Sequence, residues 1–314
     1  MAFVSESSHQ KSWIARAWDS DIAHSFRRSP LTMTAAFLVV LIIGSAVLAP
    51  YIAPHDPFNP ATLNLLDGFT PPMEPNAFTG NAYWLGTDDQ GRDVFSAILY
   101  GSRISLFVGF AAVIFAMVLG VGLGLLAGFV GGWIDTIIMR VADVQLSFPS
   151  ILIALLVFGI AQGFIAPQHR EEMAIWVLII AIGLSDWVQF ARTVRGATLV
   201  ERNKEYVQAA RVIGLPAILI MIRHVLPNVM GPVLVIATIG LALAIITEAT
   251  LSFLGVGVPP TQPSLGTLIR IGQDFLFSGE WWIILFPSLT LLVLALSVNL
   301  LGDWLRDALN PKLR

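Results

Sequence analysis

The sequence predicts an all-α integral membrane protein with six transmembrane helices, and three observations carry that prediction. Of 314 residues, 56% are hydrophobic and only 12% are charged. With a mean hydropathy of +0.76, this is far from an ordinary soluble domain. Apolar stretches recur at the roughly 20-residue length a helix needs to cross a bilayer. Lys and Arg fall unequally on alternate connecting segments, as a fixed orientation in a membrane requires.

Taken in order, residues 1–30 are polar, with Lys11, Arg16, Arg27 and Arg28, and read as a cytoplasmic tail with a short interfacial helix. The next apolar run is too long for a signal-peptide core and lacks a good cleavage site. Residues 31–54, inside a charge-free interval at 29–54, are therefore the first transmembrane helix. Residues 55–101 form a long extracytoplasmic loop rich in Pro, Asn and Asp. A five-helix core spans 102–305, with charge-free intervals at 104–134, 144–169, 225–247 and 281–302. A further span at 173–191 is interrupted only by Asp186, and residues 306–314 are a second tail.

With the amino terminus in the cytoplasm, 14 of the 18 Lys and Arg lie inside: four in the first tail, Arg140, six from Arg192 to Arg223, and Arg306, Lys312 and Arg314. Only Arg92, Arg103, Arg170 and Arg270 fall outside. This bias places both termini in the cytoplasm. Trp281 and Trp282 at one end of the last span, and Trp304 at the other, suit interfacial belts. The second span carries Ala112, Ala116, Gly120, Gly124 and Gly128, a small residue every four positions, which predicts close helix–helix contact.

Several function classes are excluded by composition. Net charge is −3 with no basic run, so nucleic acid is not a partner. Absence of cysteine removes disulfide and thiolate chemistry. The histidines His9, His24, His55, His169 and His224 are scattered, and no metal site is expected. There is no Gly-x-Ser-x-Gly and no histidine in the last span, so an intramembrane serine protease is disfavoured. A secondary carrier or channel is the stronger rival, although no charge ladder or internal repeat supports it.

Residues 203–228 lie between two spans without being one. Tyr206, Ala209, Ala210 and Ile213 recur at helical spacing on an apolar side, and Lys204, Gln208 and Arg211 lie on the other. Glu201 and Glu205 near the start and Arg211 near the end suit the helix dipole. Gly214 and Pro216 stop the helix, and Pro227 closes the second half. A short helix of this kind is placed to dock on a soluble partner.

This stretch resembles the cytoplasmic EAA loop of ABC importer permeases, which reads Glu-Ala-Ala, three residues, Gly, nine residues and Ile-x-Leu-Pro. Ala209, Ala210, Gly214, Leu226 and Pro227 keep the spacing, while Gln208 replaces Glu and His224 replaces Ile. Further runs resemble permeases of the dipeptide, oligopeptide and nickel family. They are Leu85-Gly86-Thr87-Asp88 with Gly91-Arg92-Asp93-Val94 and Arg103, Gly131-Gly132-Trp133 with Phe148-Pro149-Ser150, Val194-Arg195-Gly196, and Glu248-Ala249 with Leu251-Ser252-Phe253-Leu254-Gly255. The carboxyl end matches too, with Asn310 where Asp is usual before Pro311. The resemblance covers about residues 30–314 and is to the C-type subunit with the type I importer fold.

That resemblance implies a heterodimer with a homologous permease, two cytoplasmic ATPases and an extracytoplasmic solute-binding protein. It implies no cofactor on this chain, with ATP and magnesium used by the ATPases. The chain itself has no Walker A loop, since Lys11, Lys204 and Lys312 follow Gln, Asn and Pro. Coupling to the ATPases falls on Glu205, Tyr206, Gln208, Ala209, Ala210, Arg211, Gly214 and Pro227. Glu248, Pro232 and Phe253 are gate or translocation candidates, with a helix-end ion pair as the other reading of Glu248. Asp88, Arg92, Asp93 and Arg103 form paired charges that either dock the binding protein or only order the loop. Asp186 pairs with Arg192 or snorkels to the interface. Peptides are the implied cargo, and nickel chelates or glutathione are the alternatives.

Overall fold

A computed structural model describes residues 21–59 and 63–309. Lys11 and Arg16 of the first tail, and Asn310, Pro311, Lys312 and Arg314 of the second, lie outside the described residues. The described chain is helical, with isolated bridges in the 63–93 loop and no strand. Its helices of eight residues or more are α1 (Asp21–Arg28), α2 (Pro30–Val47), α3 (Val94–Val130), α4 (Gly132–Leu146), α5 (Ser150–Phe164), α6 (Arg170–Glu201), α7 (Glu205–Val212), α8 (Leu226–Phe253), α9 (Leu265–Asp274) and α10 (Trp282–Leu309). Five segments are long and apolar enough to cross a membrane, and α4 with α5 makes a sixth when the bent pair counts as one broken span.

Local chemistry starts these helices where it should. Ser29 caps α2, its hydroxyl accepting from Thr32 N at 3.2 Å, with Pro30 in the first turn. Asp93 caps α3, accepting from Ser96 N at 3.0 Å. With 37 residues, α3 is about 55 Å long, well beyond the hydrocarbon thickness of about 30 Å. It is therefore longer than one perpendicular crossing needs.

The seam between α3 and α6 is the centre of the bundle, and the small-residue stripe makes it. A Cβ at Gly120 would fall 2.5 Å from Trp187 O, and one at Gly124 would fall 2.5 Å from Ala191 O. The backbones touch there, with Ala112, Ala116, Leu178, Ile182 and Val194 buried beside them. Gly124→Leu is expected to force the helices apart. Overpacking of this kind costs about 3 kcal/mol, and the readout is loss of monodisperse protein after detergent extraction.

The third crossing departs from the single span expected at 144–169. Its first part belongs to α4, and the chain bends by 100° before α5. Pro149 cannot continue the α4 hydrogen bonding and disfavours helix at Phe148. Side chains hold the bend on α6. Gln145 Nε2 donates to Leu184 O at 2.8 Å and Ser185 O at 2.9 Å, and Trp187 Nε1 donates to Gln145 Oε1 at 2.8 Å. Arg195 grips Asp135 through two bonds of 2.5 and 2.7 Å. Arg192 pairs with Asp143 rather than with Asp186, whose hydrogen bond comes from the adjacent Ser185 at 3.3 Å.

Before α3, residues 63–93 fold around buried Asp67, which accepts from the Tyr83 hydroxyl at 3.0 Å and from Asn81 Nδ2 at 3.2 Å. The loop is latched to the start of α10, because Trp282 Nε1 donates to Thr87 O at 3.0 Å. Trp282 is thus a buried bolt and not a belt residue, while Trp281 remains exposed.

Candidate functional site

The α7 helix sits across the junction of α6 and α8. Glu205 opens it and Arg211 lies in its last turn. Its end is a Schellman cap: Gly214 N donates to Arg211 O at 3.0 Å and Leu215 N to Ala210 O at 3.1 Å. Gly214 takes φ +85°, and an added Cβ would meet nothing within 4 Å. Conformation, not space, fixes the glycine.

One turn of the apolar face is corrected. Val207 and Ala210 are the buried pair, 0% and 4% exposed, packed into the main core. Ala209 faces outward beside Gln208, with Val212 and Ile213 at 88% and 77% exposure. The core-facing side is centred on Val207 and Ala210, three positions apart, which turns Ala209 and Ile213 to the outside. Arg211 places its guanidinium 4.9 Å from the centroid of Phe129 at the end of α3, so that it is engaged within the chain.

Hydrogen bonds lock this helix to both neighbours. The Tyr206 hydroxyl donates to Glu201 Oε2 and accepts from Asn228 Nδ2 at 3.2 Å. Lys204 Nζ pairs with Glu201 Oε1 at 2.5 Å, and Gln208 Nε2 donates to Asn203 O at 3.0 Å. Burial first, and Glu201 next, push the Tyr206 hydroxyl up to about 12, so it keeps its proton and remains a donor across physiological pH. Val207 and Asn228 are positioning residues that sequence reasoning missed, and Glu201, read there only as suiting the helix dipole, is a third through its bond to Tyr206. Tyr206→Phe is expected to remove two bonds worth about 1 kcal/mol each. The readout is a several-fold fall in transport with unchanged amounts of protein.

Pro227 does not close the loop. It lies inside a run that is helical from Ala217 to Phe253, directly after a π turn at Met221–Val225. His224 sits in that turn, its carbonyl accepting from Asn228 Nδ2 at 2.6 Å.

The other candidates are dispersed. Asp88 and Arg92 form a 2.6 Å ion pair at 3% and 4% exposure, and Asp93 is the buried cap of α3. Burial pushes the Asp88 carboxyl up despite Arg92. These three order the loop from inside and offer no surface for docking. Arg103 is exposed, apart from them, at the rim of a groove. Glu248 is 0% exposed; its Oε2 accepts from Ser105 Oγ at 2.7 Å and its Oε1 from Ser252 Oγ at 2.8 Å. Ser105 Oγ also accepts from Leu265 N at 3.2 Å, and Ser252 Oγ from Val258 N at 3.3 Å. Glu248 therefore ties α3, α8 and the start of α9 together through hydroxyls, in place of the helix-end ion pair. Phe253 ends α8 half-buried, and Pro232 is exposed within it.

Comparison with known proteins agrees with this architecture. Residues 120–314 match the family described as binding-protein-dependent transport system inner membrane component, and residues 17–72 match the N-terminal TM domain of oligopeptide transport permease C. The dipeptide transport system permease protein DppC of Haemophilus influenzae is 37% identical over 92% of this chain and 93% of its own length. The oligopeptide transport system permease protein OppC of Bacillus subtilis is 38% identical over 92% and 88%. The glutathione transport system permease protein GsiD of Pectobacterium atrosepticum is 38% identical over 92% and 89%. An inward-facing structure of the MetNI methionine ABC transporter shares the fold, with a TM-score of 0.52 at 19% identity, covering 68% of this chain and 96% of that one. With its helical bundle and the α7 loop in the expected place, the chain belongs to the binding-protein-dependent inner membrane components, the multi-pass permease subunits of ABC importers.

Proposed function

We propose that this chain is one half of the translocation path of an ATP-driven peptide importer, oriented with both termini in the cytoplasm. A homologous permease completes the path, and an extracytoplasmic binding protein delivers di- or oligopeptides. Two ATPases bind ATP and magnesium and push on α7. One observation carries the reading: α7 offers an exposed strip of Glu205, Gln208, Ala209, Val212 and Ile213, while its other side is fastened to α6 and α8. A helix that is bare outside and fixed inside transmits a push without absorbing it.

The test is labelled-dipeptide uptake by proteoliposomes holding both permeases and both ATPases, with binding protein added. Uptake and ATP hydrolysis are expected to depend on this chain, and Ala209→Glu should abolish both while the chain still inserts. Uptake without any ATPase would overturn the reading in favour of a carrier. The relative named for glutathione supports a second cargo reading; competition by glutathione or a nickel chelate, stronger than by dipeptides, would select it.

A further inference from the structure

Asp186 is a carboxylate in α6 that the bundle leaves without a counter-charge. It is half-buried, it accepts from the Ser185 hydroxyl at 3.3 Å, and among the described residues it has no ion pair. The next cation along α6, Arg192, is taken by Asp143, and Arg195 is taken by Asp135. From Glu172 to Arg192 is 20 residues of α6, about 30 Å at the helical rise and so the depth of a hydrocarbon core. Asp186 lies six residues inside Arg192, about 9 Å, too deep for a side chain with one methylene to reach the interface. A carboxylate bared to lipid at that depth is costly, and such groups face the bundle interior or a water-filled cavity. Gln189, one turn further, is exposed, so a carboxylate and an amide share one side of the helix.

The break in the third crossing lies beside it. Gln145 reaches Leu184 O and Ser185 O at 2.8 and 2.9 Å, and Ala142 packs with Trp187, Val188 and Ala191, which sets the end of α4 against this part of α6. One residue after Gln145 the helix ends, and residues 147–150 are exposed. Non-helical backbone at membrane depth is tolerated only where protein buries it or water reaches it, and this chain does not bury it. We infer that Asp186 faces the water-filled path at this break and holds the terminal ammonium of the passing peptide, an inference that rests on the importer reading above. A free peptide carries an α-ammonium near neutral pH, whereas its side chains vary, so a path that passes many sequences meets this cation each time. With Asp135 and Asp143 neutralised by their arginines, Asp186 supplies the uncompensated negative charge that a cation needs. A half-exposed carboxylate holds it loosely, as a site that must release its cargo requires.

The test uses the whole transporter, both permeases and both ATPases, in proteoliposomes. The chain has no cysteine of its own, so Gln189→Cys places a single thiol one turn from Asp186. Its modification by a cationic methanethiosulfonate (trimethylammonium-ethyl) and an anionic one (sulfonato-ethyl) is read as the mass of this chain. Both reagents are expected to react, and adding Asp186→Asn should lower the cation-to-anion rate ratio by about fivefold or more, whereas Asp186→Glu should keep it. Free dipeptide supplied on both faces should slow the cationic reagent, and its N-acetyl form, which has no ammonium, should not. This protection is read without any change at Asp186, so it decides even where Asp186→Asn does not assemble. A thiol closed to both reagents, which would place this side against lipid or the second permease, overturns the inference. So does a ratio unchanged by Asp186→Asn, or a reaction that the two peptides affect equally. ATP-driven dipeptide uptake is read on the unsubstituted transporter. Uptake alongside any of those three results removes the site and leaves the importer standing, whereas a charge-selective, peptide-protected thiol without ATP-driven uptake does the reverse.

Discussion

Gly214→Val is expected to cut peptide uptake by at least tenfold while the chain accumulates in the membrane at normal levels. The backbone at 214 is left-handed, and both cap hydrogen bonds of α7 depend on that shape. A side-chain-bearing residue held there costs about 2 kcal/mol, more for a β-branched one, and the turn escapes by abandoning the cap. The α7 strip then loses its fixed angle to α8, and under the proposed lever reading a push on it is no longer passed on. Asparagine tolerates the left-handed region, so Gly214→Asn should retain most of the uptake. Nothing lies within 4 Å of the new Cβ, so size alone is not the cause. Uptake at the wild-type rate in Gly214→Val would sink the lever account.

Glu248→Ala is expected to be the most destabilising single change at a polar position. It strands the hydroxyls of Ser105 and Ser252 and leaves a void among α3, α8 and α9. Each buried group left without a partner costs about 1–3 kcal/mol, so the sum is about 3 kcal/mol or more, read as an apparent Tm lowered by several degrees. Glu248→Gln keeps one carbonyl acceptor and should fall between. A wild-type Tm with uptake lost would instead return Glu248 to the translocation path.

What the sequence made legible was whatever is written in local periodicity. The glycine and alanine stripe of α3 announced its own contact because every fourth position faces one way. The α7 loop was legible through Ala209, Ala210 and Gly214 at fixed spacing. The broken third crossing was not, because an absence of charge says where a chain is apolar and not where Phe148-Pro149 bends it. The inward side of α7 was misread by one position, since Val207 and Ala209 look equally apolar until the core chooses one. Distances in sequence hid the rest. Glu248 meets Ser105 across 143 positions, and Arg192 finds Asp143 across 49, so no window along the chain contains both partners.

The outer loop's attachment to the last helix bears on mechanics. Since the indole of Trp282 grips the carbonyl of Thr87, whatever lands on that loop also leans on α10, whose far end lies near α1 through Trp304 and Phe26 at 5.2 Å. The loop is thus in mechanical contact with a helix that runs to the opposite end of the bundle, separately from α7.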